Sequence, residues 1–383
     1  MQHQDPASTT HAAPSILRGE APLLPIVATT AAFFLFGKAW LADLSSLPWA
    51  ALMFVWLFVV ILWSAIRVVH HAECLAIRLG EPYGTLILTL SVISIEVMMI
   101  ATLMITGSDN PSLARDTMLA VIMIVLNGMV GLTLLLGALR YREQSYNLQG
   151  ANAYLSVIIP LAVLSLVLPT YTVSTDAPTL SGFQAVFLAL VSVALYGTFL
   201  AIQTGRHTGY FTEHHAADQT QGQDGHGHGD LVVRSLPLHA ALLLAYMLPV
   251  VLLAKKIAIP MDHGIATLGL PAALGGFIVA ALVLTPEALG ALAAARANRL
   301  QRSVNILLGS VLATIGLTVP AVLIVSLATG ETLELGLQHA DLILLLVTLA
   351  VSVVTFSTAR TNLLQGAVHL ILFLAYVMLI FAP

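Results

Sequence analysis

Long runs of Leu, Val, Ile, Ala, Phe and Met, separated by short polar or Gly- and Pro-containing breaks, occupy the chain from Leu23 to Phe381. A bilayer-spanning helix needs about 20 apolar residues, and most of these runs are that long. The breaks predict eleven helices, at 22–43, 48–69, 82–106, 116–139, 152–173, 180–204, 236–259, 268–295, 302–328, 338–358 and 362–382. Residues 1–21 are polar and lack the basic-then-apolar order of a secretion signal, so a cytoplasmic tail is expected there. The expected organisation is that tail, then a first helix with a short outer loop (22–47) and a five-helix unit (48–204). A His/Asp-rich cytoplasmic loop (205–234) and a second five-helix unit (235–383) follow.

Composition agrees and narrows the function. Of 383 residues 58% are hydrophobic and 9% charged, with mean hydropathy +0.93. Soluble domains carry about a quarter charged residues, so a water-soluble enzyme is excluded. With 15 Lys+Arg, 19 Asp+Glu and a net charge of −4, no basic surface for nucleic acid can be assembled. The single cysteine, Cys74, excludes an intrachain disulfide framework and any multi-cysteine metal centre. There is no Walker glycine loop, no His-Glu-x-x-His and no Gly-x-Ser-x-Gly elbow. The expectation is an all-α polytopic membrane protein that is not an enzyme and has no resident cofactor. Its partners are the lipid bilayer and inorganic cations, and its oligomeric state is left open.

The cations order the helices across the membrane. With the N-terminus inside, the inner side collects Arg18, Arg67, Arg78, Arg140, Arg142, Arg206, Arg234, Arg296, Arg299, Arg302 and Arg360. The outer side collects only Arg115, Lys255 and Lys256, and Lys38 lies in the first helix. This bias predicts a cell inner membrane protein with a cytoplasmic N-terminus and an outside C-terminus. A unit of five helices, repeated, must enter the membrane in the opposite sense the second time, as in inverted-repeat transporters.

Two carboxylates fall inside apolar runs. Glu96 lies in LSVISIEVMMIA and Glu287 in ALVLTPEALGAL, each in the second helix of its unit and each two residues after a hydroxyl, Ser94 or Thr285. A charge at mid-membrane costs about 2.5–3.5 kcal/mol even on lenient scales, so such residues usually mark an ion path. The structural alternative is a protonated carboxyl bonded between helices. Pro286 removes an amide hydrogen bond and frees the Leu282 carbonyl, another oxygen at membrane depth. The next helix of each unit carries polar groups among small ones: Asn127 beside Gly128 and Gly131, and Ser303, Ser310 and Thr314 on one face with Gly309. Carboxylates with neutral oxygens suit a hard cation, calcium taking about 6–8 oxygens.

Two segments, LTPEALGALAAARANRLQRSVNILLGSVLATIGLTVP (284–320) and GEPYGTLILTLSVISIEVMM (80–99), resemble the ChaA-type bacterial calcium/proton antiporters of the cation/calcium exchanger superfamily. The resemblance extends over both units. It implies cation/proton exchange of calcium, with sodium or potassium as further cargo, at the membrane glutamates Glu96 and Glu287. It also matches the family's Gly-Ser pair to Gly309 and Ser310 and its Asn to Asn127. Plant and fungal relatives carry Gly-Asn-Ala before each glutamate, where this chain has Val92-Ile93-Ser94-Ile95 and Val283-Leu284-Thr285-Pro286.

The loop FTEHHAADQTQGQDGHGHGD (211–230) holds His214, His215, His226 and His228, which suit weak metal binding or pH sensing, against the plainer reading of a solvated linker. His70 and His71, beside Glu73, are expected to face the headgroups, and His239, His263, His339 and His369 to stand alone as structural and not ligating residues. Three functions compete: a proton-driven antiporter, a passive cation channel, and a divalent-metal transporter or sensor organised by the His-rich loop. The paired glutamates favour the first.

Overall fold

The computed structural model describes residues 19–80, 83–106, 110–175, 177–211, 234–337 and 339–382, so the His-rich stretch with His214, His215, His226 and His228 lies outside the described residues. Eleven helices of more than two turns follow in order. They are α1 Leu23–Leu35, α2 Leu47–Leu79, α3 Tyr83–Thr106, α4 Leu113–Tyr141, α5 Leu148–Tyr171 and α6 Gly182–Arg206. Then come α7 Leu236–Leu268, α8 Ala273–Arg296, α9 Leu300–Thr329, α10 His339–Thr355 and α11 Leu363–Phe381. Nine of these are long and apolar enough to cross a membrane; α1 and α10 are shorter. The chain is an all-α polytopic membrane protein.

Local chemistry sets the ends. Asn147 caps α5, and capping boxes Ser181/Gln184 and Asn362/Gln365 start α6 and α11, each satisfying amides that a helix start leaves unpaired. Positive-φ glycines, Gly80, Gly269 and Gly330, close α2, α7 and α9. This corrects two expected boundaries. Hydropathy ends the second and seventh helices near residues 69 and 259, yet both continue to 33 residues, about 50 Å, because nothing breaks the helix before those glycines. α7 passes through Pro249 and Pro260 on the way. In the opposite direction, α1 stops at Phe36 and resumes as the single turn Gly37–Trp40.

Connections alternate between the two ends of the bundle. At one end Glu334 N–H donates to the Pro111 carbonyl and Gly336 N–H to Pro178, joining the α3–α4, α5–α6 and α9–α10 loops. At the other, strand β1 (Gln144–Ser145) pairs antiparallel with β2 (Arg360–Thr361), Gln144 Nε2 donates to the Ala295 carbonyl, and Arg78 Nε donates to that of Arg234. After α1, then, the runs α2–α6 and α7–α11 begin at opposite ends. Of the described arginines, all but Arg115 lie toward the second end.

Two apolar clusters fill the interior. One joins α1, α2, α3, α7 and α8; the other joins α3 to α6 and α8 to α11. Among the described buried residues α3 and α8 contribute to both, with Ile95 and Val283 in the first and Ile93 and Leu284 in the second. The two glutamate helices therefore lie on the seam. Around the outside, Leu24, Phe34, Phe183, Leu190, Ile343 and Leu364 are exposed, a surface that suits lipid and not water.

Candidate cation site

Glu96 is 2% exposed, and Glu287 is half-buried. Both reach α9. Ser310 Oγ donates to Glu287 Oε2 at 2.6 Å, Thr314 Oγ1 to Glu96 Oε2 at 2.8 Å, and Thr318 Oγ1 to Glu96 Oε1 at 3.1 Å. Ser310, Thr314 and Thr318 are spaced four residues apart, so they form one stripe on a helix. A glutamate from each five-helix run thus meets the same stripe, one turn apart. Thr314 and Thr318 are the first and last residues of a π-helical segment, Thr314–Thr318. Such a wide turn re-aims side chains and is enriched at functional sites.

The other sequence-chosen residues turn elsewhere. Asn127 is fully buried in the π segment Met123–Met129 of α4; its Nδ2 donates to Thr348 Oγ1 at 2.8 Å, and its Oδ1 faces His369 Nδ1 at 3.2 Å. Thr285 Oγ1 donates to the Ala281 carbonyl one turn back at 2.6 Å. Ser94 is half-buried, and among the described residues no hydrogen bond joins it to either glutamate. Ser303, on the α9 stripe nearer the arginine-rich end, is fully buried with an unpartnered Oγ. Sequence reasoning passed over Thr318, although the four-residue spacing from Ser310 through Thr314 pointed to it. Among the described residues no three His, Cys, Asp or Glu side chains converge on a metal position, so the ligands offered here are two carboxylates and neutral oxygens.

Three expectations about the histidines are corrected. His71 does not face headgroups: it is fully buried, with Nδ1 3.1 Å from Nδ1 of His239 and its ring stacked on Tyr246. His239 therefore does not stand alone. Neither does His369, which meets Asn127 and, through Nε2, Thr355 Oγ1 at 2.9 Å. Histidines on different helices meet only when the bundle closes, which spacing along the chain does not show.

Comparison with known proteins follows the same outline. The sequence model of the family described as "Sodium/calcium exchanger protein" matches residues 49–205 and 239–382. The chain is 41% identical over 379 residues to the sodium-potassium/proton antiporter ChaA of Escherichia coli K12, covering 99% of both proteins. It is 25% identical over 252 residues to a Ca(2+)/H(+) antiporter of Aphanothece halophytica, covering 63% of this chain and 66% of that protein. Among solved structures, native YfkE superposes with TM-score 0.71 at 17% identity, over 94% of this chain and 100% of that one. The H+/Ca2+ exchanger CAX gives 0.67 at 14%, over 95% and 89%.

Proposed function

The chain belongs to the sodium/calcium exchanger protein family and is a secondary antiporter of cations, and on that premise we propose that it exchanges calcium for protons at Glu96 and Glu287, with sodium or potassium as alternative cargo. The observation that carries this reading is the convergence of one glutamate from each helix run, Glu96 buried and Glu287 half-buried, on Ser310, Thr314 and Thr318. A carboxylate at membrane depth must be neutralised by a proton or a cation. Both ligands compete for the same two oxygen pairs, so loading one releases the other, and that competition couples the fluxes. Each hydroxyl serves both states: it donates to a bare carboxylate and offers lone pairs to a cation. Asn127 is held by α10 and α11 through Thr348 and His369. Calcium and sodium-potassium exchange are both drawn from relatives, whose names include Ca(2+)/H(+) and sodium-potassium/proton antiporters.

In this reading residues 48–204 and 235–383 move against each other to open the site to alternate sides, and 205–234 is a dispensable linker. The arginine-rich end is cytoplasmic, placing the N-terminus inside and the C-terminus outside. Cysteines introduced at Arg142 and at Glu334, in a protein with Cys74 replaced, should label from opposite sides of the membrane.

The test of the mechanism is conservative. Glu96→Gln and Glu287→Gln keep the shape and hydrogen bonding of a protonated glutamate but cannot ionise. Each should insert stably and lose both cation uptake and cation-induced proton release in everted vesicles. Aspartate at either place should retain part of the activity with weaker binding. Wild-type exchange by either glutamine variant places the site elsewhere.

A further inference from the structure

The arginine-rich ends of α2 and α7 hold a second cluster of ionisable groups, on the far side of the α3 seam from α9. Arg234 N–H donates to His239 Nε2 at 2.9 Å; His239 Nδ1 lies 3.1 Å from His71 Nδ1; His71 Nε2 lies 3.4 Å from Glu20 Oε2. The same carboxylate oxygen accepts from Arg67 Nη2 at 2.6 Å and from the Tyr246 hydroxyl at 2.9 Å. Arg67 also lies over the Tyr246 ring, and Arg78 Nε holds the Arg234 carbonyl. The charged and titratable groups facing His71 are Glu20, Arg67, His70, His239 and Tyr246; those facing His239 include Glu20, Arg234 and Arg78. Burial works against the charge of Glu20, but hydrogen bonds from Arg67 and Tyr246 and the charges of Arg67 and His71 hold its carboxyl below the usual range.

The backbone amide fixes every proton in this chain. An amide nitrogen can only donate, so His239 Nε2 must be the bare, accepting nitrogen. A neutral His239 then carries its proton on Nδ1 and gives it to His71 Nδ1. His71 in turn carries its proton on Nε2, which is buried 3.4 Å from Glu20 Oε2 without a hydrogen bond to it. The geometry admits only neutral rings. A proton added to His71 sets two N–H groups face to face across 3.1 Å, and one added to His239 sets an N–H against the Arg234 amide across 2.9 Å. Either addition must break a contact. We infer that the His71–His239 pair is a proton-binding site separate from the two glutamates, a latch between α2 and α7 that is closed when neutral and opened by acid on the arginine-rich side.

What the latch joins gives it reach. α2 and α7 are the first helices of the two runs, they pack on each other, and both pack on α3, which carries Glu96. Opening it loosens the frame behind one glutamate, so exchange falls as the cytoplasmic side becomes acidic, the direction in which proton entry itself drives that pH. This coupling to flux rests on the antiport reading; the latch itself does not.

Glutamine separates the two. In the double variant His71→Gln with His239→Gln, the side-chain oxygen at position 239 can accept from Arg234 N–H while its amide donates to the side-chain oxygen at position 71, reproducing the neutral pair with no ring left to titrate. Either single variant keeps one titratable ring, serves if the double variant folds poorly, and should show a smaller change with pH than the wild type. Two readouts are compared between inner pH values of about 8 and about 4, because the closed contacts resist the added proton and the lower value must lie well below ordinary imidazole titration. One is exchange rate in vesicles. The other is maleimide labelling of Cys74, the chain's single cysteine, fully buried one turn beyond His71. The wild type should lose most of its exchange at the lower pH and label Cys74 several-fold faster there than the double variant at the same pH. The variant should keep its rate. Equal Cys74 labelling in the two proteins overturns the latch, whatever the flux does. Different labelling with identical flux profiles overturns its coupling to exchange. Neither result depends on whether the Glu96 and Glu287 variants behave as proposed.

Discussion

In α9 the π segment turns both of its end residues, Thr314 and Thr318, onto Glu96, whereas in α4 the π segment Met123–Met129 turns Asn127 to Thr348 on α10 and His369 on α11. These are the third helices of the two runs, and each has a wide turn at its middle. The same backbone device therefore serves two purposes. On α9 it supplies two hydroxyls to the carboxylate of the other half, Glu96. On α4 it buries an amide whose hydrogen-bonding groups must be satisfied locally, because a bare polar group inside the bundle costs several kcal/mol. The comparison teaches that an inverted chain order does not give equal labour to its halves. Both glutamates lean on one helix, and the other third helix is tied to α10 and α11.

The sharpest way to break this comparison is at Thr314. Thr314→Val keeps the volume and removes the shorter of two donors to a buried carboxylate, a loss of about 2 kcal/mol, or roughly thirtyfold in apparent cation affinity or exchange rate. Titration of cation-dependent proton release against cation concentration reads it, and an unchanged curve removes α9 from the site. Ser310→Ala comes next: Glu287 is half-buried, so losing this donor should cost about 1.5 kcal/mol and roughly tenfold in the same assay. Thr318→Val should cost less again, because its bond is longer at 3.1 Å and Thr314 still holds the same carboxylate. The double variant with Thr314→Val should fall short of the sum or exceed it, since the two share one acceptor.

Asn127→Leu turns the comparison round. It should lower thermal stability by about 1–3 kcal/mol, because His369 and Thr348 lose a buried partner, while cation affinity changes less than for Ser310→Ala. An affinity loss as large as that of the serine variant would make Asn127 a ligand of equal standing and restore symmetry to the two halves. The smallest expected difference lies between two glycines. A Cβ at Gly316, in the α9 segment, would sit 3.0 Å from the Cβ of Tyr196, which cannot turn aside. At Gly128, in the α4 segment, it would meet Cδ2 of the Phe373 ring at 3.2 Å, and a ring can rotate away. Gly316→Ala should therefore depress the melting midpoint more than Gly128→Ala; the reverse order would show α9 to be the more yielding helix.

The hydrophobic pattern by itself determined how many helices the chain forms and roughly where each lies, because a run of about 20 apolar residues has no other stable use in a bilayer. It also singled out Glu96 and Glu287, since a carboxylate inside such a run stands out against everything around it. Ser310 and Thr314 were legible for the same reason, being hydroxyls at helical spacing among Leu, Val and Ala. What the sequence left open was which polar group meets which. Nothing in the order of residues shows that Glu96 of one run reaches Thr314 and Thr318 of the other, that Asn127 faces α10 and α11, or that His71 and His239 share a contact across 168 positions. Helix formation follows from interactions within a few residues and from the bilayer, which the local sequence encodes directly. Partnership between buried polar groups is decided only when helices pack, because each such group takes whichever complementary atom the closed bundle brings within about 3 Å.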